Sequence, residues 1–413
     1  IWFPFGSRNE EAPVRGFFHA IEHLVFKGTA RRRAADILRS FERTGGIVNA
    51  FTERSSICFH CTVPRHCWRD ALETLLEMVF LAVFPEEEFS REKHVITAEL
   101  MQAGDDPEER SAERCFLAMF QGQSYGREIA GTASDVERMQ RCDVMEFYRR
   151  HFLPEHAFIC LAGAVDAGAA REFIISSVDS IVRERKAFFR DATARGVAPA
   201  VPAMLPSVPA RLLPLAWHDK SQAAIAYVYQ ACQPSVPRTL RAFHMGSAIN
   251  ELAGGSFVSR LFARLREETG LCYAIGSTYS AEALEALWLV HFQTEQATLL
   301  PALETLEQEL ERLARQGISR EEYAFVIDRL QGMFELEAED TDFRQRRMYR
   351  EYAATGTIVD MQEYLAVPAS LGYDELKLEA ERWFSLPRAR FVHGALSAAQ
   401  LRLKGYRRYE PPE

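Results

Sequence analysis

What this chain lacks narrows its class before any motif is read. No stretch of its 413 residues approaches the roughly 18 consecutive apolar residues of a membrane helix, so no membrane span is expected. Basic residues are outnumbered, 49 against 58 acidic ones. The resulting net charge of −9 argues against nucleic acid as the main partner, because phosphate binding needs a basic footprint. Short basic clusters such as Arg31-Arg32-Arg33 and Arg346-Arg347 are expected on solvated helix faces. Cysteine is sparse. Cys58, Cys61, Cys67, Cys115, Cys142, Cys160, Cys232 and Cys272 are scattered, several inside apolar runs, which fits free thiols in a reducing, cytoplasmic compartment better than a disulfide scaffold. The first position is not methionine, and a strand-like run from Ile1 to Phe5 is already under way there. More chain is therefore expected upstream, and a signal or transit peptide, with a periplasmic or organellar address, would be out of view.

Apolar residues at 47% and charged residues at 26% describe a globular chain, and its length predicts two domains of about 200 residues. Helices are expected near 34–44, 68–80, 85–102, 111–120, 133–151 and 167–184, a hairpin from 47–52 and 56–63, and a buried strand over 158–163. Cys58 and Cys61 have C-x-x-C spacing, but in a strand residues three apart face opposite sides, so no shared metal or disulfide is expected. Residues 192–214 are rich in alanine and proline and read as a semi-extended linker between domains 1–191 and 215–413. Short segments recur across it. Ala71-Leu72-Glu73-Thr74-Leu75 returns as Ala302-Leu303-Glu304-Thr305-Leu306, Ser90-Arg91-Glu92 as Ser319-Arg320-Glu321, and Thr44-Gly45 as Thr269-Gly270. A nearly constant offset in unchanged order indicates a duplicated domain.

The strongest chemical signal lies between Gly16 and Gly28. In a helix His19, Glu22 and His23 share one face, flanked by Phe17, Phe18, Ile21, Leu24 and Val25. Two imidazoles one turn apart can hold one zinc ion, with the neighbouring carboxylate left to move a proton; His-x-x-Glu-His is a known inverted zinc-protease motif. Shifted by the repeat offset, the second domain presents His244, Ser247 and Ala248, so the chemistry is expected in the first domain alone. A catalytic zinc needs a third protein ligand. Glu99 and Glu92, two turns apart on the 85–102 helix, would both serve on spacing alone.

The combination resembles the pitrilysin/insulinase family of inverted-motif zinc metallopeptidases, which includes the mitochondrial processing peptidase and bacterial relatives. The resemblance covers nearly the whole chain. It takes in Gly6-Ser7-Arg8-Asn9-Glu10, the His19 to Thr29 stretch, Gly45 to Thr52, Glu92 to Glu99, Asp105-Asp106-Pro107, Ser259-Arg260-Leu261 and Arg266 to Tyr273. Together with the duplication it implies an α+β fold, two homologous domains that each pack helices on one face of a mostly antiparallel sheet. It implies one zinc per chain on His19, His23 and Glu99, with Glu22 as general base on the zinc's water and Glu92 as a supporting carboxylate. Arg266 and Tyr273, at the end of a helix and the start of a strand, would contact substrate. The strand Asn49, Ala50, Phe51, Thr52 would pair with an extended or unfolded peptide. A clamshell homodimer is implied, with a heterodimer with a related subunit as the other assembly. A catalytically silent peptide-binding or scaffold subunit of the same family is the rival reading.

Overall fold

The computed structural model describes residues 1–188, 214–281, 286–396 and 405–410. The first half contains β1 (Trp2–Phe3), α1 (Phe17–Leu24), α2 (Ala34–Glu42), β2 (Ile47–Thr52), β3 (Ile57–Thr62), α3 (Trp68–Phe80), α4 (Glu86–Asp105), α5 (Pro107–Met119), α6 (Ala133–Arg138), α7 (Arg141–His151) and α8 (Ala167–Phe188). The second contains β4 (Pro214–His218), β5 (Ile225–Cys232), α9 (Leu240–Asn250), α10 (Arg260–Phe262), β6 (Ile275–Ala281), β7 (Ala286–Glu295), α11 (Leu299–Gln316), α12 (Arg320–Glu337), α13 (Thr341–Thr355), α14 (Met361–Ser370), α15 (Tyr373–Ser385), β8 (Ala389–Gly394) and β9 (Arg407–Arg408). Residues 192–213 of the expected linker lie outside the described residues, and Pro214 opens β4.

Two compact units emerge. Among the described residues, one takes in 1–106, 127–188 and 341–349, the other 107–126, 214–281, 286–340, 350–396 and 405–410. Each half of the sequence thus lends a segment to the other unit: α5 goes to the second, and the opening of α13 to the first.

In the first unit the strands run β1-β3-β2, all antiparallel, with Ala50 opposite Phe59 and Phe51 opposite Cys58. Strand alternation sorts the side chains. Phe3, Ala50, Ile57 and Phe59 face the core shared with Phe18, Ile21 and Leu24 of α1 and Leu75, Leu76 and Val79 of α3. Trp2, Phe51 and His60 face the other way, toward the borrowed start of α13. There Tyr349 stacks on Trp2 with ring centroids 4.2 Å apart, and Gln345 Oε1 accepts from Trp2 Nε1 at 2.8 Å.

The second unit carries a six-stranded sheet, β6-β7-β5-β8-β4-β9, parallel only where β4 meets β8 and β9. The repeated segments fall on equivalent elements, α3 with α11 and α4 with α12, where Ser319 Oγ caps α12 by accepting from the Glu322 backbone N–H at 3.1 Å. This is an α+β fold of two homologous domains.

Three expectations need correction. The 133–151 helix is two helices, α6 and α7, because Met139 and Gln140 leave helical geometry. The 158–163 segment forms no strand and meets the sheet only through a Trp2–Phe158 bridge, against a β1 that is itself two residues long. The basic clusters are not simply solvated: Arg31 and Arg32 pair with the buried carboxylate of Glu77, and Arg346 lies over Phe51. The eight cysteines, all among the described residues, are free thiols.

Candidate metal centre

Helix α1 starts where only glycine fits. Gly16 has φ +77°, and a Cβ there would meet the Ala130 carbonyl oxygen at 2.3 Å. The helix N-terminus is held by a carboxylate from upstream. Glu10 accepts the Gly16 and Phe18 backbone N–H groups, both at 2.7 Å, and Arg127 Nη1 donates to the Glu10 carbonyl at 2.8 Å. Burial pushes the Glu10 carboxyl up to about 8, against the pull of these N–H donors. The apolar face of α1 then enters the core, leaving His19, Glu22 and His23 half-buried on the opposite side.

On that side α4 supplies both carboxylates that spacing allowed, and His23 separates them. Glu92, buried, meets His23 Nδ1 at 3.1 Å and Lys27 Nζ at 2.8 Å. Glu99, half-exposed, meets His23 Nε2 at 3.4 Å. One atom each of His19, His23 and Glu99 lies within 4.8 Å of the others. Glu92 is outside that group. It grips the far nitrogen of a ring whose near nitrogen points at Glu99, the arrangement in which a second carboxylate orients a metal-binding imidazole.

Electrostatics favour a cation here. Burial, aided by neighbouring His23, lowers His19 to about 4, so its ring is neutral and has a lone pair to offer. Its Nδ1 is buried with no hydrogen-bond partner among the described residues. Burial opposes the charging of His23, but its hydrogen bond to Glu92 and the carboxylates of Glu99 and Glu22 outweigh it and hold the ring above its usual pKa. Burial raises Glu22, even though its carboxylate accepts from Thr52 Oγ1 at 2.5 Å. Burial would raise Glu92 too, but the bonds from His23 and Lys27 win and keep it low. A converging His2Glu donor set fits a zinc ion.

The proposed substrate strand is placed beside this site. Asn49 to Thr52 lie in β2, at the edge of the three-stranded sheet, and Thr52 ties that edge to Glu22. In the second unit Arg266 and Tyr273 also meet, with the guanidinium carbon 5.6 Å from the ring centre. Arg266 sits in a π-helical turn, Ala263–Glu268, that continues α10. Tyr273 lies two residues ahead of β6 rather than starting it, and is 86% exposed.

Sequence reasoning missed the cap by Glu10, the link from Lys27 to Glu92 and the hydroxyl of Thr52 on Glu22. Glu10 and Lys27 lie in segments already singled out, but nothing local reveals their partners.

The model of the insulinase peptidases (peptidase family M16) matches residues 1–133, and that of the M16 inactive domain matches residues 138–330. The chain belongs to peptidase family M16. This M16 chain is 28% identical over 92% of its length to an uncharacterized zinc protease of Streptomyces coelicolor, covering 81% of that protein. It is 26% identical over 84% of its length to one of Bacillus subtilis, covering 80%. Among solved structures, a protease from Helicobacter pylori superposes with a TM-score of 0.79 at 18% identity, over 95% of this chain and 92% of that one. A peptidase M16 inactive domain structure from Pseudomonas fluorescens does so with a TM-score of 0.79 at 15% identity, over 96% and 92%. The M16 membership supports a peptidase role, and the structural likenesses carry the fold.

Proposed function

We propose that this M16 chain is a zinc-dependent endopeptidase that hydrolyses extended or unfolded peptides. The convergence of His19, His23 and Glu99, with Glu22 on the same helix face, carries this reading. Zinc held by those three residues, one ion per chain, would supply Lewis acidity, drawing a water's pKa toward ~7 and polarising the scissile carbonyl. Glu22 takes the proton of the attacking water and delivers it to the leaving amine nitrogen. Burial raises the pKa of this carboxylate, the direction that helps a group which must both accept a proton and give it up. Thr52 holds that carboxylate in place, and Glu92 fixes His23 so that Nε2 faces Glu99.

Strand β2 is an edge strand, and a peptide that pairs with Asn49, Ala50, Phe51 and Thr52 is read through its backbone, which selects extended chains over folded surfaces. Arg266 and Tyr273 contact the substrate and donate to its developing oxyanion. The working assembly is a homodimer or a heterodimer with a related subunit, and the compartment is the cytoplasm. Among the described residues no helix is long and apolar enough to cross a membrane.

The test compares wild type with Glu22→Gln for bound zinc and for cleavage of a quenched unstructured peptide. Zinc retained with cleavage abolished is the expected result. A wild type that binds zinc yet is inert across a broad peptide library overturns the reading in favour of a silent subunit.

A further inference from the structure

Strand β2 has two faces, and the proposed chemistry uses only one. Thr52 points toward Glu22, whereas Phe51 points to the opposite side, toward the segment Thr341–Tyr349. There the guanidinium carbon of Arg346 sits 4.8 Å from the centre of the Phe51 ring. Its Nε donates to Asp342 Oδ2 at 2.7 Å, and Asp342 Oδ1 in turn meets His60 Nδ1 at 3.2 Å on β3. Arg346 is therefore fixed by an ion pair at Nε and by the aromatic ring its guanidinium lies over, which leaves the Nη ends of its fork free. Its Nη1 and Nη2 have no partner among the described residues, and the side chain is 35% exposed.

A peptide added to the β2 edge alternates its side chains as β2 does. Those on the Phe51 side project about 5 Å from the β2 side chains they neighbour, within reach of a long guanidinium. Two free Nη groups in a fixed plane match a carboxylate, which they can bind through paired N–H donors.

We propose that Arg346 is a specificity-determining residue that recognises an acidic side chain, Asp or Glu, on the peptide residue lying against the Phe51 face of β2. The proposal rests on the reading that the peptide pairs with β2. It assigns a substrate preference to a residue that the second half of the sequence lends to the first unit.

The test measures binding to the full-length, zinc-loaded Glu22→Gln protein by fluorescence anisotropy, so that the peptide stays intact. Matched peptides carry Glu or Gln at each position in turn, and a second series carries N-methyl groups at successive backbone nitrogens. Preference for Glu over Gln of about tenfold at one position is expected, collapsing to less than twofold when Arg346→Gln is added and partly kept by Arg346→Lys. N-methylation is expected to weaken binding at alternate positions. Loss of affinity for both peptides equally in Arg346→Gln, or no Glu preference while the alternating N-methyl pattern persists, overturns the role of Arg346 and leaves β2 pairing standing. Absence of the alternating pattern overturns both.

Discussion

Helix α1 and helix α9 occupy corresponding places in the two repeats, and they do opposite things with a histidine. His19 of α1 stands half-buried beside a second imidazole and a carboxylate. His244 of α9, at the position given by the repeat offset, is fully buried, its ring 4.8 Å from that of Phe334 and 4.6 Å from that of Tyr364. Ala248, where His23 would fall, is also fully buried, and a Cβ on Gly246 would strike the ring of Tyr279 at 2.4 Å. Helix α9 has given its face to packing. Helix α1 buries only its apolar side, and its polar side sets two titratable rings and Glu22 beside the Glu92 and Glu99 carboxylates of α4. A shared fold thus provides the slot, and whether neighbouring helices bring aromatics or carboxylates to it decides between core and chemistry.

The sharpest attack on this contrast removes the base. Glu22→Gln is expected to lower kcat by about 100- to 10,000-fold while bound zinc stays near one per chain by elemental analysis. Loss of zinc in the same variant would make Glu22 a ligand and dissolve the distinction between base and donor set.

The two carboxylates of α4 come next. Glu99→Gln is expected to strip zinc at any practical concentration, whereas Glu92→Gln should weaken affinity only about 10- to 100-fold, the usual cost of losing an outer partner of a metal-bound histidine. Chelator competition measures both, and the reverse order would exchange their roles.

Rebuilding the motif in the second repeat should fail. Ala248→His introduces the missing imidazole, but into a fully packed site, so no second zinc is expected and stability should fall by about 1–3 kcal/mol in denaturant unfolding. Two zinc ions per chain would show that α9 is open after all.

A pH dependence lies under α1. Because the folded chain holds Glu10 up to about 8 against a usual value of 4.5, it keeps a proton that the unfolded chain releases between those limits. Stability from this group is therefore present at low pH and lost as pH rises through that window. In the metal-free protein, the melting temperature of wild type minus that of Glu10→Gln should drop by a few degrees from pH 5 to pH 8. Parallel curves would mean that the N–H donors of α1 keep Glu10 ionised throughout.

Much of this molecule is legible in its sequence because the governing signals are local. The 3.6-residue period puts His19, Glu22 and His23 on one face, period-two alternation bounds β2 and β3 almost to the residue, and α3 runs over the expected 68–80. The repeat is visible because Ala71, Leu72 and Leu75 of α3 and Ala302, Leu303 and Leu306 of α11 are kept as buried helix faces. What tertiary structure alone decided lies between distant segments: which of Glu92 and Glu99 faces which nitrogen of His23, the reach of Glu10 across six residues to cap α1, and the placing of Arg346 over Phe51. Spacing along one helix leaves two carboxylates equivalent, and only a partner ring with two distinct nitrogens makes them different.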